Sequence, residues 1–441
     1  MQPGIVPRTS VRAPAVRKLR HELKFVAPRL GQTIPIGRKN CSSFRRPAAD
    51  NEDVSDSIWG LRDRDLLVLV VLALILLGVL MVQSAAMNLD GSIESIEALA
   101  WSSRGKRHAL FAALSVLTFV TATRLRYRNF SGKLIFGALL LAAGMCLFVL
   151  TPLGTVVNGS RRWIVLGPLR LQPSEVAKWC VILFLAWRLS RPSAGDLIRG
   201  FIPNCILVGG TCLLIVIEDF GTAALIGCSA FAMMLAGPTR LWHLLVTLPP
   251  ALGGAFAFVY MEPYRWRRMT AFLDPWAASE TDGYHMIQSL YSFASGGLFG
   301  TGLGNGVQKL GYLPEDTTDF IFAVICEELG IFGAGLVIGL YLVLLWIGWR
   351  ASRRATTPMG QMLAFGITAT IGLQACINIA VATASVPTKG MPLPLISAGG
   401  SGLIMTGFML GLLYGICREG NQAQEAMATD DEFEEGSLAL E

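Results

Sequence analysis

The chain has 441 residues, of which 53% are hydrophobic and only 15% are charged, and its formal net charge at pH 7 is +6. This composition is too apolar and too poor in charge for a soluble domain, and it indicates a polytopic membrane protein. The positive charge does not predict nucleic-acid binding, because the basic excess lies in the first fifty residues and the last twenty are acidic. The nine cysteines show no CxxC or Cys/His ligand spacing, so no metal or redox site is predicted from them.

The two ends of the chain differ from its middle in composition. Residues 1–57 are basic and contain no apolar run of core length, so we expect a disordered tail in the cytoplasm. Residues 419–441 are acidic, and we expect a second disordered cytoplasmic tail there. Residues 58–418 are expected to form one transmembrane domain.

Apolar runs follow one another through this domain. A helix needs about 20 apolar residues to cross the hydrocarbon of a bilayer. The runs predict an all-α fold with about ten transmembrane helices, although the fourth run is short enough for a buried or partial helix. They lie at 66–89, 108–123, 134–153, 174–187, 200–217, 220–237, 241–260, 320–349, 359–386 and 403–417.

Basic residues between the runs suggest the orientation. With the basic tail inside, the Arg and Lys residues of 124–133, 188–191 and 350–354 also fall on the cytoplasmic side, where positive charge accumulates. Both termini are then cytoplasmic. The polar, Gly-rich stretch 261–318 becomes a large outer loop between helices 7 and 8, and we look for chemistry there.

Several cations lie on the disfavoured outer side, namely Arg161, Arg162, Arg170, Arg265, Arg267, Arg268 and Lys389. An anionic group such as a diphosphate at the outer face would be held by such donors. The alternative is that these side chains reach lipid phosphates.

Charged residues also occur within or beside apolar runs. Glu175 and Lys178 are spaced i, i+3 and can pair, either facing a polar cavity or locking two helices together. Asp319 opens a helix, where the helix dipole favours a carboxylate. Glu327 and Glu328 lie inside an apolar run and should therefore face a polar interior.

The stretch VPTKGMPLPLISAGGSG combines helix-breaking prolines with Lys389 and Ser397 before the last run. Broken backbone at membrane depth is tolerated where it is buried in protein or lines a cavity. The clusters together predict a cavity at the outer face, lined by Arg, Lys and carboxylates. A substrate with a lipid tail and an anionic head would suit it.

A set of motifs occurs in one order between about residues 60 and 418: NGSRRWI with QPSEVAK, EDFGTA, PYRWRR followed by FLDPW, QSLYSFASGGLFGTGLGNGVQKLGYLPEDTTDFIF, EELG, and PTKGMPLPLISAGGSG. Through these motifs the chain resembles the SEDS family of integral-membrane peptidoglycan glycosyltransferases. Its GLGNGVQK is closer to the FtsW type than to the RodA type.

The resemblance implies a ten-helix fold and the polymerisation of lipid II, the undecaprenyl diphosphate-linked disaccharide peptide, during cell division. The reaction is implied at the outer face of the cytoplasmic membrane, where the 4-hydroxyl of an acceptor GlcNAc attacks the anomeric carbon of the donor MurNAc. It needs a carboxylate to take the proton and cations to stabilise the departing diphosphate.

The implied partners are a class B penicillin-binding protein, other divisome proteins and membrane lipid. No resident cofactor is expected, and a divalent cation at the diphosphate is left open.

The clusters and motifs together give the residues expected to bind substrate. They are Arg161, Arg162, Trp163, Glu175, Lys178, Arg265, Arg268, Gln308, Lys309, Glu315, Asp319, Glu327, Lys389 and Ser397.

One departure from the family pattern concerns the catalytic base. Members usually carry an aspartate in DPWxDPxGxGYQ that is regarded as the base, whereas DPWAASETDGYH here places Ala278 at that position. Either Glu280 or Asp282 substitutes through a shifted loop, or Asp274 moves in, or the chain acts as a scaffold without the polymerase step. The nearby acids Glu280 and Asp282 are favoured because the other motifs are intact. His285 is a further candidate, although a lone loop histidine is more often structural.

Two other classes of function would use the same features. A lipid II flippase would need the same cavity and charges, and it would move lipid without making glycan. An ion-coupled transporter would be expected to show inverted repeats with broken helices, and the sequence shows no convincing internal repeat.

Overall fold

The structure is a computed structural model. The predicted basic tail and Asp282 lie outside the residues that it describes. Those residues are 62–86, 102–152, 154–157, 160–166, 169–281 and 283–438.

Helices dominate the described chain, with three short strands. In chain order the elements are α1 (Asp63–Ala86), α2 (Ser103–Arg124), α3 (Gly132–Leu150), β1 (Thr155–Val157), β2 (Ser160–Leu166), β3 (Leu169–Leu171), α4 (Pro173–Leu189), α5 (Ile202–Val216), α6 (Phe220–Ala236), α7 (Leu241–Tyr260), α8 (Pro263–Leu273), α9 (Tyr284–Gly296), α10 (Ile321–Arg354), α11 (Pro358–Ala382) and α12 (Ser401–Leu438).

The apolar runs predicted from the sequence correspond to α1 to α7 and α10 to α12, ten helices in the described residues. Seven of these are long and apolar enough to cross a membrane, counting α5 with the turn before it, while α2, α4 and α6 are shorter or more polar. The chain is therefore an all-α polytopic membrane protein, as predicted.

Two elements differ in detail from the prediction. The short fourth run forms α4, whose residues are mostly buried inside the bundle. The last helix, α12, continues to Leu438, so the acidic segment is helical where the sequence predicts no regular structure. Ala, Glu, Gln and Met are strong helix formers and are frequent in QAQEAMATDDEFEE, which accounts for the extension.

Local sequence signals start several helices. The side chain of Asp219 accepts a hydrogen bond from the backbone N–H of Thr222 (3.1 Å) and caps α6. Thr357 caps α11 in the same way through the N–H of Gly360 (3.1 Å). Pro173 begins α4, where a missing N–H has no consequence.

The core of the bundle lies around α4 and α10. The helix α4 buries Trp179 and Leu185 and packs against α3, α6 and α11, while α10 packs against α1, α9 and α11. The helix α7 lies at an edge, packs against α6 and α8, and buries only Leu244 and Val259 of its own residues. Its exposed side chains, among them Trp242 and Phe256, are available to lipid.

The three strands form an antiparallel sheet in the order β1, β2, β3. Thr155 pairs with Trp163 across the first two strands, and Ile164 pairs with Leu171 across the second two. The middle strand packs against α3 and α4. The sheet thereby brings the polar residues of β2 to the end of the bundle where α4 begins.

The long connection, residues 261–320, joins α7 to α10 and contains α8 and α9. Its backbone pairs with α10, since the N–H of Thr301 donates to the carbonyl of Glu327 (2.9 Å). The helix α10 is interrupted at Gly330 (φ 66°, ψ −161°), where a Cβ would lie 2.4 Å from the carbonyl oxygen of Leu298. This close approach holds the long connection against the bundle.

Candidate active site

A partly open cavity of about 710 Å³ lies at the end of the bundle that carries the long connection. Its walls come from β2, the beginning of α4, the turn between α5 and α6, the helices α8 and α9, the end of the long connection, and the link between α11 and α12. The predicted site residues that line it are Arg162, Trp163, Glu175, Arg265, Arg268, Glu315, Asp319 and Lys389.

The cations of this wall are placed against aromatic rings. The guanidinium of Arg265 lies 3.9 Å from the ring centroid of Phe258, and the Lys389 ammonium lies 4.2 Å from that of Phe220. The buried Nε of Arg162 has no hydrogen-bond partner among the described residues. Cations held in this way can offer N–H donors to an anion in the cavity.

Lys389 lies in the link between α11 and α12. Burial lowers the pKa of its ammonium to about 8, and the positive charge of Arg268 acts in the same direction. The carboxylate of Asp219 opposes the shift. Lys389 therefore carries its charge at neutral pH and loses it in mild alkali.

Glu175 and Lys178 form the ion pair that their spacing predicts, with Nζ 2.7 Å from Oε2. The fully buried Lys178 also donates to Gln374 Oε1 (2.8 Å), and Gln374 Nε2 donates to the carbonyl of Pro392 (2.8 Å). The sequence leaves open whether the pair faces a polar cavity or locks two helices together, and the structure shows both. Glu175 lines the cavity, and Lys178 joins α4 to α11 through Gln374. Lys178 does not line the cavity itself, because its ammonium is occupied by these partners.

The turn between α5 and α6 contributes two acids with partners of their own. Asp219 accepts hydrogen bonds from Thr222 Oγ1 (2.7 Å) and Gln172 Nε2 (3.2 Å). Glu218 accepts one from the backbone N–H of Arg161 (2.9 Å). Arg161 lines a smaller void of about 30 Å³ beside the cavity rather than the cavity itself, because β2 turns its side chain towards α3.

Asp319 is the last acid before α10. Burial raises the pKa of its carboxyl to about 7, and the negative charges of Glu315 and Asp219 add to the shift. Arg162 and Arg268 act in the opposite direction. The carboxyl is thus poised to exchange a proton near neutral pH.

Ser397 is buried beside this acid and does not line the cavity. Its hydroxyl donates to the carbonyl of Thr318 (2.6 Å) and accepts from the N–H of Leu393 (2.7 Å). It binds the link between α11 and α12 to the long connection, so its role in the structure is to position both.

Gln308, Lys309 and Glu327 are also predicted to bind substrate, and the structure places them away from the cavity. Glu327 Oε1 accepts from the backbone N–H groups of Val307 (2.7 Å) and Gln308 (3.1 Å). The fully buried Lys309 forms an ion pair with Glu328 (2.6 Å). These residues fasten the long connection to α10, which is why their polar groups point away from the cavity.

The acids nominated to replace Ala278 do not line the cavity where the structure describes them. Asp274 and Glu280 are both exposed and lie outside its wall, because the turn that carries them faces solvent. Asp282 lies outside the described residues. His285 does line the cavity, with its ring stacked on Phe320 at 6.0 Å between centroids.

Other lining residues were not singled out from the sequence. Glu262 and Tyr264 come from the start of α8, and Thr388 from the link between α11 and α12. Gln172 and Phe220 also line the cavity, and all of these residues except Glu262 lie inside motifs quoted above. Their position inside these motifs is the sequence feature from which they could be predicted to line the cavity. No group of three His, Cys, Asp or Glu side chains in the described part of the chain could hold a metal ion.

The fold and the cavity define a polytopic membrane protein with a polar, cation-lined site at one end of an apolar bundle. The family model described as "Cell cycle protein" (FtsW, RodA, SpoVE) matches residues 64–422. The chain belongs to this family.

Curated relatives agree with the family match. A protein of Nitrosococcus halophilus named "Probable peptidoglycan glycosyltransferase FtsW" is 45% identical over 309 residues, which cover 68% of this chain and 79% of the relative. A protein of Coxiella burnetii with the same name is 40% identical over 364 residues, covering 80% of this chain and 95% of that protein.

Solved structures give the same result for the fold. A chain in a structure described as "Structural coordination of polymerization and crosslinking by a peptidoglycan synthase complex" matches with a TM-score of 0.65 and 26% identity, covering 81% of this chain and 98% of that one. The rod shape determining protein RodA of Thermus thermophilus matches with a TM-score of 0.58 and 26% identity, covering 80% of this chain and 96% of RodA.

Proposed function

We propose that this protein is a peptidoglycan glycosyltransferase that polymerises lipid II into glycan strands. The observation that carries the proposal is the cavity itself, which combines four cations with carboxylates at one end of an apolar bundle. A substrate with a diphosphate between a sugar and a long lipid can place its head in this cavity and its tail in the membrane. The names of the curated relatives support the same activity.

The cations supply the electrostatic part of the reaction. Arg162, Arg265, Arg268 and Lys389 line one cavity, so their donors converge on a shared anion. Donors fixed in advance stabilise the charge that develops on the leaving diphosphate without reorganising during the reaction. The acids of the same wall provide a proton acceptor for the attacking sugar hydroxyl.

We place the reaction at the outer face of the cytoplasmic membrane, with both termini in the cytoplasm and a role in cell division. The distribution of Arg and Lys between the spans supports this orientation. The partner that we propose is a class B penicillin-binding protein among other divisome proteins. The likeness to a chain of a peptidoglycan synthase complex supports such a partner.

A divalent cation at the diphosphate would be held mainly by phosphate oxygens, because the described residues offer no three-residue metal cluster. Such an ion would neutralise charge on the leaving group. Polymerisation of labelled lipid II with and without a chelator tests for it.

The test of the proposed function is glycan synthesis from labelled lipid II by the purified full-length protein. It is run alone and with the cognate class B penicillin-binding protein carrying an inactive transpeptidase site. We expect polymer from the wild type. Arg268→Gln should raise KM by roughly 10-fold or more, because one charged hydrogen bond contributes about 1.5–3 kcal/mol.

Arg267→Gln is the matched control, since Arg267 is the exposed neighbour on α8 and does not line the cavity. Its KM should equal that of the wild type. Absence of polymer under every partner condition would refute the polymerase. Lipid II transport into vesicles would then indicate a flippase, and stimulation of the partner without polymer would indicate a scaffold.

A further inference from the structure

The carboxylates that line the cavity differ in what they already bind. Glu175 is held in its ion pair, and Glu218 and Asp219 accept the hydrogen bonds described above. Glu315 accepts a hydrogen bond from Thr318 Oγ1 (2.8 Å), and Glu262 is exposed at the rim.

Asp319 differs from these acids. It lines the cavity and is half-buried, and its carboxylate accepts no hydrogen bond from the residues that the structure describes. Its oxygens are therefore open to a ligand in the cavity.

The backbone around Asp319 is fixed from two sides. Asn378 Nδ2 donates to the carbonyl of Asp319 (2.8 Å), and the N–H of Ala398 donates to the carbonyl of Thr317 (2.9 Å). A Cβ at Gly390 would lie 3.1 Å from Asp319 Oδ2, so the glycine leaves room for the carboxylate. The backbone that carries the acid is thus held in place while its side chain remains available to a ligand.

We propose that Asp319 is the proton acceptor of the glycosyl transfer in this chain, where Ala278 occupies the position at which relatives carry an acid. The assignment rests on the proposed polymerase function. It replaces the acids Asp274 and Glu280, which are exposed and lie outside the cavity wall.

The acceptor sugar hydroxyl gives its proton to Asp319 while its oxygen forms a bond to the anomeric carbon of the donor. The bond between that carbon and the diphosphate oxygen breaks, and its electron pair leaves with the diphosphate. The cations of the wall take up the charge that develops there.

The acid has a proton affinity suited to this task, because a general base works best when its pKa lies near the working pH. With the pKa of Asp319 raised to about 7, kcat/KM should rise as pH increases through about 7, where the carboxyl loses its proton. Glu315, Asp219, Arg162 and Arg268 act on its charge, and the other charged or titratable groups of the same cavity are Glu175, Glu218, Glu262, Tyr264, Arg265, His285 and Lys389.

The experiment measures polymerisation of labelled lipid II by full-length Asp319→Asn with its partner, from about pH 5.5 to about pH 8.5 in steps of about half a unit. Asparagine keeps the shape of the side chain and cannot take the proton. We expect kcat to fall by about 100-fold or more, with lipid II binding changed by less than about 3-fold. The rise of the residual rate near pH 7 should disappear, and Asp319→Glu should restore part of the activity.

Asp316→Asn is the matched control. Asp316 is a buried acid of the same segment whose pKa is also raised, to about 6, chiefly by burial, and it does not line the cavity. It should keep the wild-type kcat and pH profile, and thermal unfolding should show that all variants are folded.

Wild-type kcat and an unchanged pH profile in Asp319→Asn would overturn the assignment while leaving the polymerase intact. The assignment is also overturned if Glu280→Gln or Asp282→Asn abolishes polymer and Asp319→Asn does not. A wild type that makes no polymer under any partner condition overturns the proposed function first, and the assignment with it.

Discussion

The charged side chains near the cavity fall into two groups. Lys178 with Glu175, and Lys309 with Glu328, form buried ion pairs whose partners lie within the protein. A buried charge left without its partner destabilises a fold strongly, by about 3–5 kcal/mol. Lys389 belongs to the other group, since its ammonium faces the cavity. Replacing a residue of the first group should change stability, and replacing one of the second should change binding.

Lys389 gives a prediction on pH. Its pKa is lowered to about 8 by burial, so its ammonium is charged below pH 8 and loses its charge as pH rises through that value. We expect the KM for lipid II to rise above about pH 8 in the wild type. In Lys389→Arg the rise should disappear, because a guanidinium stays charged. Steady-state polymerisation between about pH 7 and 9.5 measures both.

Lys389→Gln is the control that removes the charge at every pH. It should show a KM raised by roughly 10-fold or more with no further rise in alkali. The prediction is wrong if Lys389→Arg keeps the alkaline rise of the wild type.

Some of the site could be predicted at the residue level because charge inside an apolar run needs an explanation. Glu175 is predicted in this way, whereas Asp319 is predicted from its place at the expected start of a helix and from its motif, and both line the cavity. Lys309 and Glu327 have the same residue types in equally polar motifs, yet they bind the protein's own segments. Residue type predicts that a charge has a partner, and only the folded chain shows whether that partner is a ligand. The sequence of Glu280 and its neighbours does not show that their turn is exposed to solvent, and this exposure keeps Glu280 out of the cavity wall.

At the level of elements, the long connection is joined to α10 through backbone contacts. A Cβ at Gly300 would lie 2.1 Å from the carbonyl oxygen of Glu328, and one at Gly330 would lie 2.4 Å from that of Leu298. Both glycines have positive φ, at 80° and 66°. The two segments therefore approach as closely as backbone allows, and this contact fixes the long connection against the first part of α10.

Gly330→Ala should disrupt the backbone contact between the long connection and α10. The backbone of Gly330 (φ 66°, ψ −161°) lies in a region essentially restricted to glycine, and the added methyl would overlap backbone. We expect a loss of stability on the order of 3 kcal/mol or more, seen as a lower unfolding temperature of the detergent-solubilised protein and as lost polymerase activity.

Gly335→Ala is the comparison, since Gly335 lies further along α10 and a Cβ there meets nothing within 4 Å. It should be neutral or slightly stabilising, by about 0.4–1 kcal/mol. Equal unfolding temperatures for the two variants would show that the close backbone contact at Gly330 does not stabilise the fold.

The helices are predictable because each apolar run is bounded by polar residues, Pro or Gly, although only seven of the described helices are long and apolar enough to cross a membrane by themselves. The strands were not, since β1 and β3 are three-residue segments whose pairing depends on the helices on either side. The extension of α12 is not evident from the sequence, because an acidic composition predicts a solvated tail as readily as a helix. Local sequence patterns therefore predict the helices of the bundle. They do not predict the strands, whose pairing depends on residues that are distant in the sequence.

At the scale of the whole molecule, all walls of the cavity come from segments at one end of the bundle. The opposite end carries its own charges, with Asp63 paired to Arg350 (3.3 Å) and Arg354 (2.9 Å). The two ends would face two different compartments. The orientation that we propose puts the cavity outside.

Labelling of single cysteines tests this orientation. In a variant without the native cysteines, Glu280→Cys should react with a membrane-impermeant maleimide in intact spheroplasts, because Glu280 is exposed at the cavity end. Arg353→Cys, exposed at the other end, should react only after permeabilisation. The reverse pattern would place the cavity in the cytoplasm and rule out the proposed site of synthesis.

The turn that contains Ala278 is held by short-range bonds. The carbonyl of Ala278 accepts from the N–H groups of Thr281 and Gly283 (3.0 Å each), and Asp274 accepts from the N–H of Ala277 (3.2 Å). None of these five residues lines the cavity, so a side chain can be exchanged in this turn without replacing a group of the cavity wall.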